Sequence, residues 1–283
     1  MDDTVIDMWA PIVPSREIMN HVADNFPEAQ LGYLRVFQKR APDLEAYRID
    51  ARRMAMDDEV ILAGLDVAGI SKMLITGFDE ATGNGGKTFV SNESVAAVAE
   101  RHPARFLPFA GVDIRRGASA VRELEQWIRH RGFRGLSLRP FVINLPADDR
   151  RYYPFYEKAI ELGIPVSIHA SANWTTSRVS ELGHPRHFDV VACDFPELKL
   201  ILSHAGYPWV LEACLLAWKH PNLYLELGAH RPRYFTAPGT GAFLIGRTPA
   251  ELVDELRALP LKPEVWRKWT WENAAQLLEL ESE

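Results

Sequence analysis

Short apolar, β-branched runs alternate with longer segments of helical period along almost the whole chain, and this rhythm constrains the fold more than any other feature. Parallel strands need a crossover of a dozen or more residues between them, and a helix is the usual one. The runs place strands near 4–7, 72–76, 106–111, 134–139, 165–169, 199–204, 222–228 and 242–246. Helical period falls near 16–25, 58–68, 91–101, 117–130, 151–162, 187–193, 208–219 and 249–258, with a terminal helix near 263–279. Start signals support several of these: Ser15 precedes "REIM", Thr248-Pro249 precedes "AELVDEL", and Lys262-Pro263 precedes "EVWRKW". Eight strand–helix units in 283 residues predict an α/β fold of the (β/α)8 TIM-barrel type, a single domain over residues 1–283. Two irregularities stand out. The connection over residues 10–71 is long, and "GAHRPRYFTAPGTGAF" is too short and too rich in Pro and Gly for a full helix, so the connection before strand 8 is a shortened loop. An open doubly wound sheet is the rival, but it normally carries a Gly-rich phosphate turn after its first strand, and "DMWAPIVP" has none.

Composition narrows the partners. With 47% hydrophobic and 25% charged residues the chain can bury a full core, and its net charge of -6 without a Lys/Arg cluster gives nucleic-acid phosphates nothing to bind. A small molecule is the expected ligand. No apolar run reaches the roughly 18 residues of a membrane span, and "MDDTVIDM" is not a secretory leader, which together predict a cytoplasmic protein. Cys193 and Cys214 lie in "VVACDF" and "EACLLAW" without CxxC spacing and read as two buried free thiols.

In a barrel the ligand sits where the strands end. The residues closing the predicted strands are Asp7 with Trp9, Asp79, Asp113, Ser137 with Arg139, His169, His204, Glu226 with His230, and Arg247 with Thr248. His169 ends "IPVSIHAS" and His204 ends "LKLILSHAG", both after continuous apolar runs. One histidine at such a place is most often a hydrogen-bonded rim residue; two on adjacent strands point to function. His21, His102, His130, His184, His187 and His220 read instead as solvated surface. His230 lies beside Arg231 and Arg233, where an anion could be held. Aromatics gather in the predicted lids: Tyr33, Phe37, Trp174, Tyr207, Trp209, Tyr234 and Phe235, a wall suited to an aromatic or unsaturated ligand.

The segments "YYPFYEKAIELGIPVSIHAS", "FPELKLILSHAGYPWVLEA", "HPNLYLELG" and "LPLKPEVWRKWTWENAAQLLEL" resemble the amidohydrolase superfamily, in its amidohydrolase-related branch. That branch contains metal-dependent hydrolases and nonoxidative decarboxylases of small carboxylic acids, often dimeric. The resemblance implies a His-x-His pair after strand 1, a histidine after strand 5, another after strand 6 and an aspartate after strand 8, together holding a divalent metal. Here Trp9 and Pro11 stand in the places of the first pair, Thr248 in that of the aspartate, and only His169 and His204 remain. Two neutral imidazoles fall short of the three protein ligands of a catalytic zinc site. The expectation is therefore no cofactor, with His169 and His204 titrating near operating pH as general base and acid. Trp9, Arg139, Trp174, Tyr207, His230 and Arg247 would bind the substrate, a small carboxylated compound, cyclic or aromatic. The expected enzyme is a lyase, isomerase or hydrolase. The alternatives are a metal-dependent hydrolase or nonoxidative decarboxylase with one zinc or manganese ion on His169, His204, Asp7 and Glu226, or a barrel that binds a ligand without turnover. A homodimer is the assembly the resemblance implies.

Overall fold

The computed structural model describes residues 4–10, 12–27, 43–230, 232 and 248–280. In chain order these form β1 (Val5–Ala10), α1 (Arg16–Asn25), α2 (Leu44–Met54), α3 (Asp58–Ala68), β2 (Ile70–Thr76), α4 (Asn92–Arg101), β3 (Phe106–Gly111), α5 (Ala118–His130) and β4 (Gly135–Leu138). The short α6 (Pro140–Ile143) is followed by α7 (Tyr153–Leu162), β5 (Val166–His169), α8 (Pro185–Asp194), β6 (Leu200–Ser203), α9 (Val210–Lys219) and β7 (Leu223–Leu225). Then come α10 (Pro249–Arg257), α11 (Pro263–Arg267), a π-helical turn (Lys268–Glu272) and α12 (Asn273–Leu277). The strand expected at 242–246 lies outside the described residues. The terminal helix expected at 263–279 is present but is broken by the π turn.

The seven strands form one sheet in the order β1 to β7, every neighbouring pair parallel. The start signals do what they promise: Ser15 Oγ accepts the Ile18 N–H at 3.3 Å, and Thr248 forms a reciprocal capping box with Glu251. That cap places Thr248 at the exposed start of a helix. One strand face, with Ile75, Leu136, Leu138, Val166, Ile168, Leu200 and Leu202, joins the large core made with the helices. On the other face Ile6, Leu74, Leu107, Phe109 and Ile201 pack against Ala274, Leu277 and Leu278, which close the barrel floor. One strand step above that floor the buried hydroxyls of Ser167 and Ser203 meet at 3.0 Å. One step higher again is His169.

Three expectations are corrected. Cys193 and Cys214 are free but exposed, because α8 and α9 turn Phe188, Val191, Ala192, Ala213 and Leu216 inward and leave the cysteines on the outer side. His220 is buried against Asp189, and His187, which lies in α8 and not in a loop, is held between Asp148 and Glu181; neither is solvated surface. The long first connection carries an additional helix, α2, whose inner face buries only Ala51 and so left a faint pattern in the sequence.

Candidate active site

His169 closes β5, and its imidazole meets that of His204 with ring centroids 5.1 Å apart at 71°. The two reach this position differently. His169 follows the strand period, while its register partner on β6 is Ser203, so His204 lies one residue past the equivalent position. A left-handed turn brings it in: His204, Ala205 and Gly206 have φ of 67°, 47° and 72°. That backbone is costly for residues with a Cβ and persists only when its surroundings hold it. Here the His204 N–H donates to Glu226 Oε2 at 3.2 Å, while the His204 carbonyl accepts from His230 Nε2 and from the Tyr207 N–H, each at 3.1 Å. His204 Nδ1 lies 3.0 Å from the Gly228 carbonyl. Because a carbonyl only accepts, Nδ1 carries the proton and Nε2 keeps a lone pair.

Trp9 stands edge-on to His204, with centroids 4.9 Å apart at 85°. Its place follows from a bulge in β1: Asp7 pairs with Met73 and Ala10 with Ile75, three steps against two, which re-aims the residues between. Trp9 N–H donates to Asp7 Oδ1 at 2.9 Å. The indole also lies so close to Gly228 that a Cβ there would come within 2.7 Å of Trp9 Cδ1 and 2.5 Å of Glu226 Oε1, so only glycine fits. On the other side Phe141 closes on His169 at 4.6 Å.

Arg139, 6% exposed, is gripped by Glu80, 1% exposed, through Nε at 2.9 Å and Nη2 at 2.5 Å, and its guanidinium lies 3.7 Å over the Phe78 ring. Nη1 makes no hydrogen bond among the described residues. Glu80, Phe78 and Phe141 were missed by the sequence reading; in "GFDEATG" nothing in residue type separates Glu80 from Asp79. Asp79 and Asp113, which were singled out, hold the loop instead. Asp113 accepts from the Thr82 N–H at 2.7 Å and hydroxyl at 2.9 Å, and Asp79 from the Thr88 hydroxyl at 2.6 Å. Ser137 is buried within β4. Trp174 is half-buried in the loop after β5, and the Tyr207 ring is 5.4 Å from that of His230. Arg247 and Pro11 lie outside the described residues, as do Tyr33, Phe37, Arg231, Arg233, Tyr234 and Phe235.

The electrostatics correct the expected titration. Burial, reinforced by the charges of His204 and Arg139, holds His169 well below the ordinary imidazole range. Burial likewise pushes His204 down to about 4, against the hydrogen bond to Gly228. Both rings are neutral at neutral pH, not poised near it. The carboxylic acids move the other way: burial raises Glu226 to about 8, opposed by the Gly228 and His204 N–H groups, and raises Asp7 to about 6, opposed by Trp9 N–H. Burial pushes Glu80 up and Arg139 pulls it back.

A catalytic divalent ion would need a third donor. Among the described residues His169, His204, Asp7 and Glu226 do not come together as three mutually close ligands; the one such group of His, Cys, Asp or Glu lies elsewhere. Glu226 uses its oxygens on two backbone N–H groups, Asp7 is tied to Trp9, and the indole stands against His204. His169 Nδ1 is buried without a partner, a position that a ligand donor would satisfy. The described donor set does not fit a metal.

The amidohydrolase family model (Amidohydro_2) matches residues 6–255. This chain belongs to that family. A TIM-barrel protein of Bordetella bronchiseptica, itself uncharacterized, shares 25% identity with a TM-score of 0.71 over 98% of both chains. The fold is accordingly that of the amidohydrolase TIM barrel. A 5-carboxyvanillate decarboxylase of Novosphingobium aromaticivorans, solved with manganese and a nitrobenzoic acid, superposes with a TM-score of 0.68 at 15% identity, over 98% of this chain and 96% of that one. A 2-keto-4-carboxy-3-hexenedioate hydratase of Sphingobium is 32% identical over 110 residues, a match spanning 32% of this chain and 32% of that protein. The match thus covers about a third of that curated relative. Among the described residues no helix is long and apolar enough to cross a membrane.

Proposed function

We propose that this amidohydrolase-family protein is a cytoplasmic lyase acting on a small carboxylated compound, cyclic or conjugated, and that it moves protons with His169 and His204 and without a metal ion. One observation carries the reading: two neutral imidazoles face each other between Trp9 and Phe141 at the ends of β5 and β6, where barrel enzymes bind their substrates. Arg139 Nη1 would hold a substrate carboxylate, since Nε and Nη2 are engaged by Glu80. Trp9, Phe141 and Phe78 would wall a flat ligand and exclude water. An anion bound there raises both imidazole pKa values, because an opposite charge in an apolar site favours the protonated ring. His204 Nε2 would then take a proton from water or substrate, while His169, protonated once the anion is bound, would give one to carbon and be re-protonated by the neighbouring His204.

Both the hydratase and the decarboxylase among the similar proteins have carboxylated substrates in their names, which supports this class. The manganese of the decarboxylase and the unpartnered His169 Nδ1 favour a second reading, in which an ion is held with ligands outside the described residues.

The test is a panel of carboxylated aromatics and unsaturated 2-oxo acids, read by CO2 release and loss of diene absorbance. Activity is expected to survive chelation and to fall at least 100-fold in His169→Asn and in His204→Asn, the scale of a lost general acid or base. A stoichiometric ion that leaves with those two substitutions would overturn the metal-free mechanism. Binding without turnover in the unaltered protein would overturn the lyase.

A further inference from the structure

On the outside of the barrel, Asp189 and Cys193 stand four residues apart on one face of α8, and the end of α9 brings His220 against them. His220 Nε2 is 2.7 Å from Asp189 Oδ1, and one ligand atom from each of the three residues lies within 4.8 Å of the other two. Tetrahedral zinc with bonds of about 2.0 to 2.3 Å separates its ligand atoms by roughly 3.3 to 3.6 Å, so small side-chain shifts would admit an ion. The imidazole is anchored. His220 is 8% exposed, and its backbone N–H donates to Leu216 at 2.8 Å. Cys193 is exposed and free, so the thiol is reachable from solvent.

We propose that Asp189, Cys193 and His220 form a three-ligand site for a soft divalent cation such as zinc, with water in the fourth position, in the outer helical layer and apart from the histidine pair. Thiolate, imidazole and carboxylate are the donor types that zinc takes, and the thiolate selects against magnesium and calcium. Binding releases the thiol proton to solvent, shifts the proton that His220 Nε2 donates to Asp189 either to Nδ1 or to solvent, and leaves every oxidation state unchanged. The resident counter-charge is Lys219, whose Nζ is 2.7 Å from Asp189 Oδ1; at 48% exposure it can turn to water when the ion takes that oxygen. The ion would cross-link the ends of α8 and α9, helices that belong to consecutive barrel units.

Cobalt(II) added to the chelator-treated full-length protein reads the site directly, because a cysteine ligand gives a thiolate-to-cobalt charge-transfer band in the near ultraviolet. The band is expected to saturate at one equivalent in the unaltered protein and in Cys214→Ser. It should vanish in Cys193→Ser, and His220→Asn should weaken binding at least tenfold. Zinc should raise the melting temperature of the unaltered protein and not that of Cys193→Ser. No band in the unaltered protein, or a band that persists in Cys193→Ser, overturns the proposal. Circular dichroism of Cys193→Ser, in which an exposed sulfur is replaced by an oxygen, verifies that the fold is intact.

Discussion

Arg139 and Glu80 show how a single pair of side chains can serve stability and recognition at once. Both are withdrawn from water, so neither charge is tolerable without the other. Arg139→Met should cost about 3–5 kcal/mol in urea unfolding, because it strands the Glu80 carboxylate. Adding Glu80→Gln should restore most of that loss, while binding of a carboxylated ligand stays abolished in both variants. If the double variant bound the ligand as well as the parent, Arg139 would have no part in recognition. Arg139 was legible in the sequence as a cation closing a strand. Its partner was not, because a buried acid and an exposed one are spelled alike and only the third dimension distinguishes Glu80 from Asp79. Trp9 was legible for the opposite reason: it breaks the first-strand pattern that the family resemblance implies, and a break can be seen in one dimension.

The turn His204-Ala205-Gly206 is the element on which the geometry of the mouth depends. Strand periodicity located His169 and the inner and outer faces of β4 to β6, since alternation is a property of the chain itself. It put His204 at the end of strand 6 but missed how its ring arrives, one residue past the strand and through three consecutive left-handed residues that no alternation encodes. The bulge that aims Trp9 was hidden for the same reason. Ala205→Gly should raise stability by about 0.5–1 kcal/mol in denaturant titration, as relief of the left-handed alanine outweighs the entropy of the new glycine. A drop in stability would mean that the Ala205 methyl packing matters more than its backbone.

For the molecule as a whole, the buried titratable groups at the mouth should shape stability against pH. His204 binds its proton near pH 4 when folded and near its ordinary 6.5 when unfolded, so its contribution is full above 6.5 and is lost as pH falls toward 4. Glu226 is reversed: folded at about 8 against an ordinary 4.5, it loses its contribution as pH rises from 4.5 to 8. Asp7 acts in the same sense between 3.8 and about 6. His169, held down in the same sense as His204, adds a second contribution that is lost as pH falls below 6.5. Denaturation midpoints should therefore peak near the ordinary imidazole value of 6.5 and decline toward 8, and Glu226→Gln should flatten the alkaline decline while leaving the acid limb in place. An alkaline limb unchanged in that variant would show that Glu226 is already ionised in the folded protein.

The closed floor of the barrel has a consequence for how the protein is made. Ile6, Leu74, Leu107, Phe109 and Ile201 are covered by Ala274, Leu277 and Leu278, which follow all seven strands in the chain. At typical rates of synthesis, roughly 4 to 15 seconds separate Ile201 from Leu278. During that interval the nascent chain presents a ring of greasy side chains to the cell, a natural docking place for a chaperone until the lid of its own floor arrives.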